Sequence, residues 1–192
     1  MTEPTIILRA RTDDDLEGVA DLLVETHHSH AYPVVLMDDL AGWAAGHGVL
    51  DAWVAVDRDQ PDRVIGHVAL TTAAADELPT PQWVAATGLH PRDLGVVRRL
   101  LVHSAAQRSG LGRALLATAV DAAHGRGLQP VLDMAVNLRE AAQLYQSAGF
   151  EEVGRYDLDL TPYFPAGQTS FVIDGHRTTV LPVVTWVGPS PA

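Results

Sequence analysis

The 192-residue chain is 47% hydrophobic and 19% charged, a balance that suits one globular domain over residues 1–192 with an ample core. It has no cysteine, which excludes disulfides, thiolate catalysis and Cys-based zinc sites, and no apolar run near the ~20 residues that span a membrane. The formal net charge is −11 and all thirteen basic residues are arginine, so a phosphate loop that depends on lysine is excluded as well.

The opening "MTEPTIILRARTDDD" lacks the basic-then-apolar order of a secretory signal, so a cytoplasmic protein is expected. "TIILRAR" reads as a short strand. "TDDDLEGVADLLVETHH" reads as a helix opened by a Thr12/Asp15 pattern close to a capping box, with Leu16, Val19, Leu22 and Leu23 on one face. "LMDDLAGWAAG" is a second helix ending at Gly46, and His27, His28 and His30 between the two are read as a loop cluster. "DAWVAVDRD" and "DRVIGHVALTT" form an antiparallel hairpin across a polar turn. From Ala73 to Leu94 the chain is irregular, with a short helix at "PTPQWVAA". "GVVRRLLVH" is a strand, in which alternation sends Arg98 and Arg99 to opposite faces. A glycine turn and a helix to about His124 follow, with Gly125 and Gly127 at the helix end. "PVLDMAV" is a strand, "NLREAAQLYQSAG" a helix opened by an Asn137/Glu140 box, and "FEEVGRYDLDL" a strand. The tail carries two β-rich runs around Asp174-Gly175, a strong hairpin signal, and a last strand near "TVLPVVTW".

Charge is distributed unevenly. Arg98, Arg99, Arg108, Arg113, Arg126 and Arg139 face only Asp121 and Asp133 between residues 98 and 139, so that window carries +4 and the remainder −15. A local positive excess around a glycine turn suits a small anion, because the free N–H groups at a helix start and the dipole end favour negative charge. Nucleic acid demands a broader basic face and is not expected as a partner. The nine histidines show no H-E-x-x-H spacing, so no metal is expected.

Two nucleotide motifs compete for the turn. A dinucleotide fingerprint needs a small residue where Leu115 stands, and its turn normally follows the first strand. The pattern Q/R-x-x-G-x-G/A is met in full by Gln107-Arg108-Ser109-Gly110-Leu111-Gly112. The segment before it, Leu100-Leu101-Val102-His103, and the segment after it, "VLDMAVNLREAAQLYQSAGF", complete a longer pattern with Asn137, Tyr145 and Gly149-Phe150 in place. On these residues the chain resembles the GNAT superfamily of acyl-CoA-dependent N-acyltransferases. The resemblance implies an α/β (α+β) fold with a mixed central sheet of about seven strands, splayed between strands 4 and 5 and flanked by helices.

It also implies a cosubstrate, acetyl-CoA. Residues Gln107, Arg108, Ser109, Gly110, Leu111, Gly112 and Arg113 would wrap its pyrophosphate through backbone N–H groups, with Arg108 and Arg113 paired to phosphates. Main-chain groups of Leu100, Leu101 and Val102 would hydrogen-bond the pantetheine arm, while their side chains read equally well as core. Asn137 is either a helix cap or a hydrogen-bond partner of the cofactor. Tyr145 would act as general acid toward the leaving thiolate.

The general base is not legible. His67, Asp76, Glu77, His90 and Asp93 are all candidates, directly or through water, and strand packing is the plainer role for His67. The expected reaction is acetyl transfer from acetyl-CoA to a small amine acceptor by direct attack. The charge of −15 outside the basic window favours a cationic acceptor. Two alternatives remain: a non-catalytic acyl-CoA sensor, and the same chemistry with a larger acyl group. Residues 161–177, inserted before the last strand, serve either an oligomer contact such as a homodimer or a substrate lid.

Overall fold

Alternating apolar residues in "DAWVAVD" and "RVIGHVALTT" leave both faces of a hairpin to be covered, and the fold is built around it. The computed structural model describes residues 6–191. In chain order the elements are β1 (Ile6–Ala10), α1 (Leu16–His30), α2 (Leu40–Ala45), β2 (Val49–Asp57), β3 (Gln60–Thr72), α3 (Thr80–Thr87) and β4 (Leu94–Val102). They continue as α4 (Leu111–Gly125), β5 (Gln129–Ala135), α5 (Arg139–Ser147), β6 (Glu151–Asp159), β7 (Phe171–Ile173), β8 (His176–Thr178) and β9 (Val180–Val187). Seven strands form one mixed sheet in the order β1-β2-β3-β4-β5-β9-β6, and β7 and β8 pair apart from it. Among the described residues no helix is long and apolar enough to cross a membrane.

The two sheet faces bury different helices. Val68, Leu70, Val97 and Leu132 pack with Leu111, Leu115, Leu116 and Ala119 of α4 and with Tyr145 of α5. On the other face Val54, Val56 and Leu101 pack with Val19, Leu22 and Leu23 of α1 and Ala44 of α2. Each such leucine is almost wholly buried and contributes roughly 1.5–3 kcal/mol by leaving water. The β7–β8 hairpin turns at Asp174 and Gly175, both at positive φ (49° and 80°), as a tight hairpin requires.

Thr12 and Asp15 open the first helical segment as their spacing predicts: the Thr12 N–H donates to Asp15 Oδ2 at 2.7 Å. Arg9 clamps the same carboxylate at 2.6 and 2.7 Å, which holds Asp15 well below the usual range, at about 2. Three expectations change. His27, His28 and His30 belong to the last turn of α1, which ends only at Ala31 in the left-handed region (φ 54°). The Asn137/Glu140 box does not form, because α5 begins at Arg139 and its cap position is Leu138, without a side-chain cap. Arg98 and Arg99 do not diverge, for the reason given next.

Candidate active site

Strand β4 pairs with β5 only at Leu94, Gly95 and Val96, in parallel. Beyond Val96 the edge of β4 has no strand partner on that side among the described residues, and the sheet opens there. On the other edge, β4 slips against β3 between the pairs His67↔Leu101 and Ala69↔Arg98, so Arg99 and Leu100 together oppose Val68. This is a β-bulge, and Arg99 takes it up at φ 53°, a backbone region that non-glycine residues rarely occupy. Val97 and Leu100 therefore both join the α4 side, whereas Arg98 and Arg99 both turn to the opposite face. The bulge puts two successive arginines on one side of the sheet.

His67 holds the bulge in place. Its ring is fully buried, its Nδ1–H donates to the Arg99 carbonyl at 2.9 Å, and Arg11 Nη1 donates to its Nε2 at 3.2 Å. Burial first, and then the nearby Arg11 and Arg99 charges, push its pKa down to about 4 against the pull of that carbonyl bond. With its lone pair engaged and its ring neutral, His67 is a structural post and not a base.

The opened sheet makes a cleft of about 1070 Å³, floored by Leu100, Leu101 and Val102. The glycine turn forms one wall. Arg108 (φ 60°) and Gly110 (φ 88°) both lie in the left-handed region, which swings the chain into α4 at Leu111. A Cβ on Gly110 would meet no protein atom within 4 Å, so its φ and the cleft in front of it, not packing, favour glycine there. The first intrahelical bond is Ala114 N–H to the Gly110 carbonyl, and the Ser109 hydroxyl serves the Leu111 N–H at 3.4 Å. The N–H groups of Gly112 and Arg113 remain at the cleft.

Of the motif's side chains, Gln107, Arg108 and Arg113 border the cleft. Gln107 Nε2 donates to His30 Nε2 at 2.7 Å, joining the turn to the end of α1, and Arg113 donates to the Ser147 hydroxyl at 2.9 Å. Ser109 and Leu111 do not line the cleft: the Ser109 hydroxyl turns back to the Ala106 carbonyl, and Leu111 is core. Across the cleft stand Asn137 and Tyr145. Asn137 Oδ1 is buried and has no hydrogen-bond partner among the described residues. Tyr145 is 8% exposed, leans on Phe150 and Trp186, and its hydroxyl has no partner among the described residues. Burial, reinforced by Tyr32 and Asp133, raises its pKa, so the phenol keeps its proton at neutral pH.

Beyond Tyr145 lies a polar group that the sequence did not single out. Asp133 of β5 accepts a bond from the Tyr156 hydroxyl at 2.7 Å and faces Arg98 Nη1 at 3.8 Å. Arg98 Nη2 in turn bonds Glu77 at 2.5 Å, and Arg98 Nε bonds the Thr71 hydroxyl at 3.2 Å. Tyr32, just past the end of α1, lines the cleft and feels Arg99, Asp133 and Arg98 together, while burial raises its pKa. One signal was available: a lone aspartate inside the apolar strand "PVLDMAV". Of the other base candidates, Glu77 is held by Arg98, Asp93 faces Arg92 at 3.8 Å, and Asp76 is exposed. His90 caps a short turn. Among the described residues no three His, Cys, Asp or Glu side chains come together as a metal-binding group.

The family model for the GNAT acetyltransferase domain matches residues 49–152, from β2 through the start of β6. The chain belongs to the GNAT acetyltransferase family, whose members are acyltransferases that use acetyl-CoA as cosubstrate. A comparison with curated proteins gives no match. Among solved structures, NAA60 of Arabidopsis thaliana in complex with a bisubstrate analogue superposes with a TM-score of 0.66 at 20% identity, over 95% of this chain and 97% of that one. The ribosomal-protein-S18-alanine N-acetyltransferase of Escherichia coli gives 0.61 at 18% identity, over 98% and 97%. YncA of Salmonella typhimurium with its cofactor acetyl-CoA gives 0.63 at 16% identity, over 95% and 92%. At these identities the likeness is one of fold.

Proposed function

We propose that the protein is an N-acetyltransferase that moves an acetyl group from acetyl-CoA to a primary amine of a small acceptor by direct attack. One observation carries this: an open β4 edge, a helix start with free N–H groups and a protonated tyrosine share a single cleft. We read the whole chain as one catalytic domain, acting in the cytoplasm, with residues 161–177 as an insertion.

The residues present fit the cosubstrate. In this assignment the N–H groups of Gly110, Gly112 and Arg113 hold the pyrophosphate, with Ser109 and Leu111 shaping the turn through their main chain. Arg108 and Arg113 supply charge, and Gln107 ties the loop to α1. The β4 edge at Leu100, Leu101 and Val102 offers main-chain groups to the pantetheine arm, and the unpartnered Asn137 Oδ1 accepts from it.

The acceptor amine is drawn as an ammonium by a chain of charge −11 and must lose a proton before it attacks. Asp133, half-buried beside Tyr156 and Arg98, takes that proton. The nitrogen then bonds to the thioester carbonyl carbon, the C–S bond breaks as Tyr145 gives its proton to the departing thiolate, and the proton shed by the acylated nitrogen restores the phenol. The products are the N-acetylated amine and coenzyme A. The test is thiol release from acetyl-CoA by the purified protein across a panel of amines. Release with at least one amine is expected. Tight acetyl-CoA binding without release from any of them would leave an acyl-CoA-binding module in its place.

A further inference from the structure

Three arginines, Arg11, Arg98 and Arg99, gather behind Tyr32, which borders the cleft, and two of them are fully occupied. Arg98 holds Glu77 and faces Asp133. Arg11 donates to the Ala44 and Ala45 carbonyls and to His67. Arg99 has neither an ion pair nor a side-chain hydrogen bond among the described residues, although its Nε and Nη1 are shielded from solvent. Its guanidinium lies 4.6 Å over the Trp43 ring. That contact stabilises the face of the cation, but the N–H donors lie in the guanidinium plane and gain nothing from it.

The fold fixes this cation deliberately in space. The bulge that turns Arg99 toward Trp43 places its backbone at φ 53°, and His67 pins its carbonyl. Gly46 leaves room beside it, since a Cβ there would stand 2.8 Å from Nη1. Arg99 is partly buried, but its Nε and Nη1 are sealed from solvent without a partner, and shielded donors left unmade are costly. Packing on Trp43 accounts for the face of the cation and not for these donors. An ion pair completed by a ligand accounts for them.

We propose that Arg99 receives a carboxylate of the acceptor, so that the amine acetylated by this protein belongs to a free amino acid or a similar amine carboxylate. The planar fork of donors on Arg99 matches a carboxylate. Tyr32, which borders the cleft and feels both Arg99 and Asp133, lies in the same group of side chains. An acceptor of this class lays its carboxylate at Arg99 and its ammonium toward Asp133. The acceptor is then a zwitterion and not a simple cation, so the chain's overall charge misstates the local preference.

The chemistry of this inference rests on the N-acetyltransferase reading, but the recognition does not. The probes are free L-amino acids, each paired with its α-amide, together with a short peptide bearing a free N-terminus. The parent protein is expected to use free acids at least tenfold better in kcat/KM than the matching amides. Arg99→Gln should bring that preference to near one, chiefly through KM for the acid, with acetyl-CoA affinity retained. Arg99→Lys, which keeps the charge but loses the fork, should fall between. Binding of the same acids and amides to the CoA-loaded protein, measured by calorimetry, gives the same discrimination without turnover. Binding selectivity in a protein that releases no thiol would sink the enzyme and leave the carboxylate site standing. Amides or the peptide used as well as the acids, or an Arg99→Gln effect equal on all acceptors, overturns the proposal. So does an Arg99→Gln protein that is more stable and equally selective.

Discussion

The two ends of the cleft are built from different materials. At the glycine turn the chain offers backbone: N–H groups at the start of α4, an unpaired β4 edge, and glycine at φ 88°. Around Tyr32, which borders the other end, it offers side chains drawn from distant segments: Tyr32 from the turn after α1, Trp43 from α2, Glu77 from a loop, Arg98 and Arg99 from β4, Asp133 from β5 and Tyr156 from β6. A backbone site tolerates many side chains but demands a local order of elements with glycine at fixed points, so it writes a motif. A side-chain site is assembled by folding and writes none. That difference fits a family in which one end meets a constant partner and the other a variable one.

Tyr145 stands where the two ends meet, and its substitution separates them most sharply. Tyr145→Phe removes a hydroxyl with no partner among the described residues, so stability should hold while kcat falls on the order of 10²-fold, the lower range for general acid catalysis. Acetyl-CoA affinity should stay near that of the parent, because the groups proposed to hold the phosphates lie at the start of α4. Turnover equal to the parent would remove the general-acid role.

The next effect falls on stability and belongs to the side-chain end. His67 is neutral in the folded protein with its pKa depressed to about 4, whereas in the unfolded chain it titrates at its ordinary value of about 6.5. The unfolded state therefore binds more protons between those values, and stability is lost as pH falls through that window. Between pH 7 and pH 5 the loss is about 2 kcal/mol from this group. His67→Asn keeps a donor for the Arg99 carbonyl and should flatten that part of the curve. Asp15, depressed to about 2 by Arg9, acts in the same direction but only below about pH 4, so chemical denaturation at closely spaced pH values resolves the two. An identical slope in parent and His67→Asn would mean that His67 carries no such linkage.

Gly110→Val strikes the backbone end. A β-branched residue at φ 88° is strained, and its side chain would project into the cleft, so the Kd for coenzyme A should rise about tenfold while circular dichroism shows a folded protein. Parent-like affinity in a folded variant would move the phosphate site elsewhere. The smallest expected effect is that of Asn137→Ala. A helix cap would lose stability on this change, but Asn137 caps nothing and its Oδ1 is unpartnered. KM for acetyl-CoA should rise several-fold with thermal stability unchanged, and a lowered Tm with an unchanged KM would restore the capping role.

The sequence by itself determined the element order, the hairpin of β2 and β3, the turn at Asp174-Gly175 and the Gln107 to Gly112 motif with Tyr145 after it. Each depends on periodicity or on a short run of residues with special backbone needs, and such signals are local. Only the tertiary structure decided the rest. Strict alternation sent Arg98 and Arg99 apart, but a single extra residue in β4 shifted the register and brought them to one face. The Asn137/Glu140 spacing promised a cap, but the chain entered α5 later and left Asn137 facing the cleft. His67 could have been a base, until Arg11 and the Arg99 carbonyl took both ring nitrogens. The physical reason is common to all three: burial, strand register and hydrogen-bond pairing are relations between residues far apart in the chain, and they come into being only when the sheet closes around them.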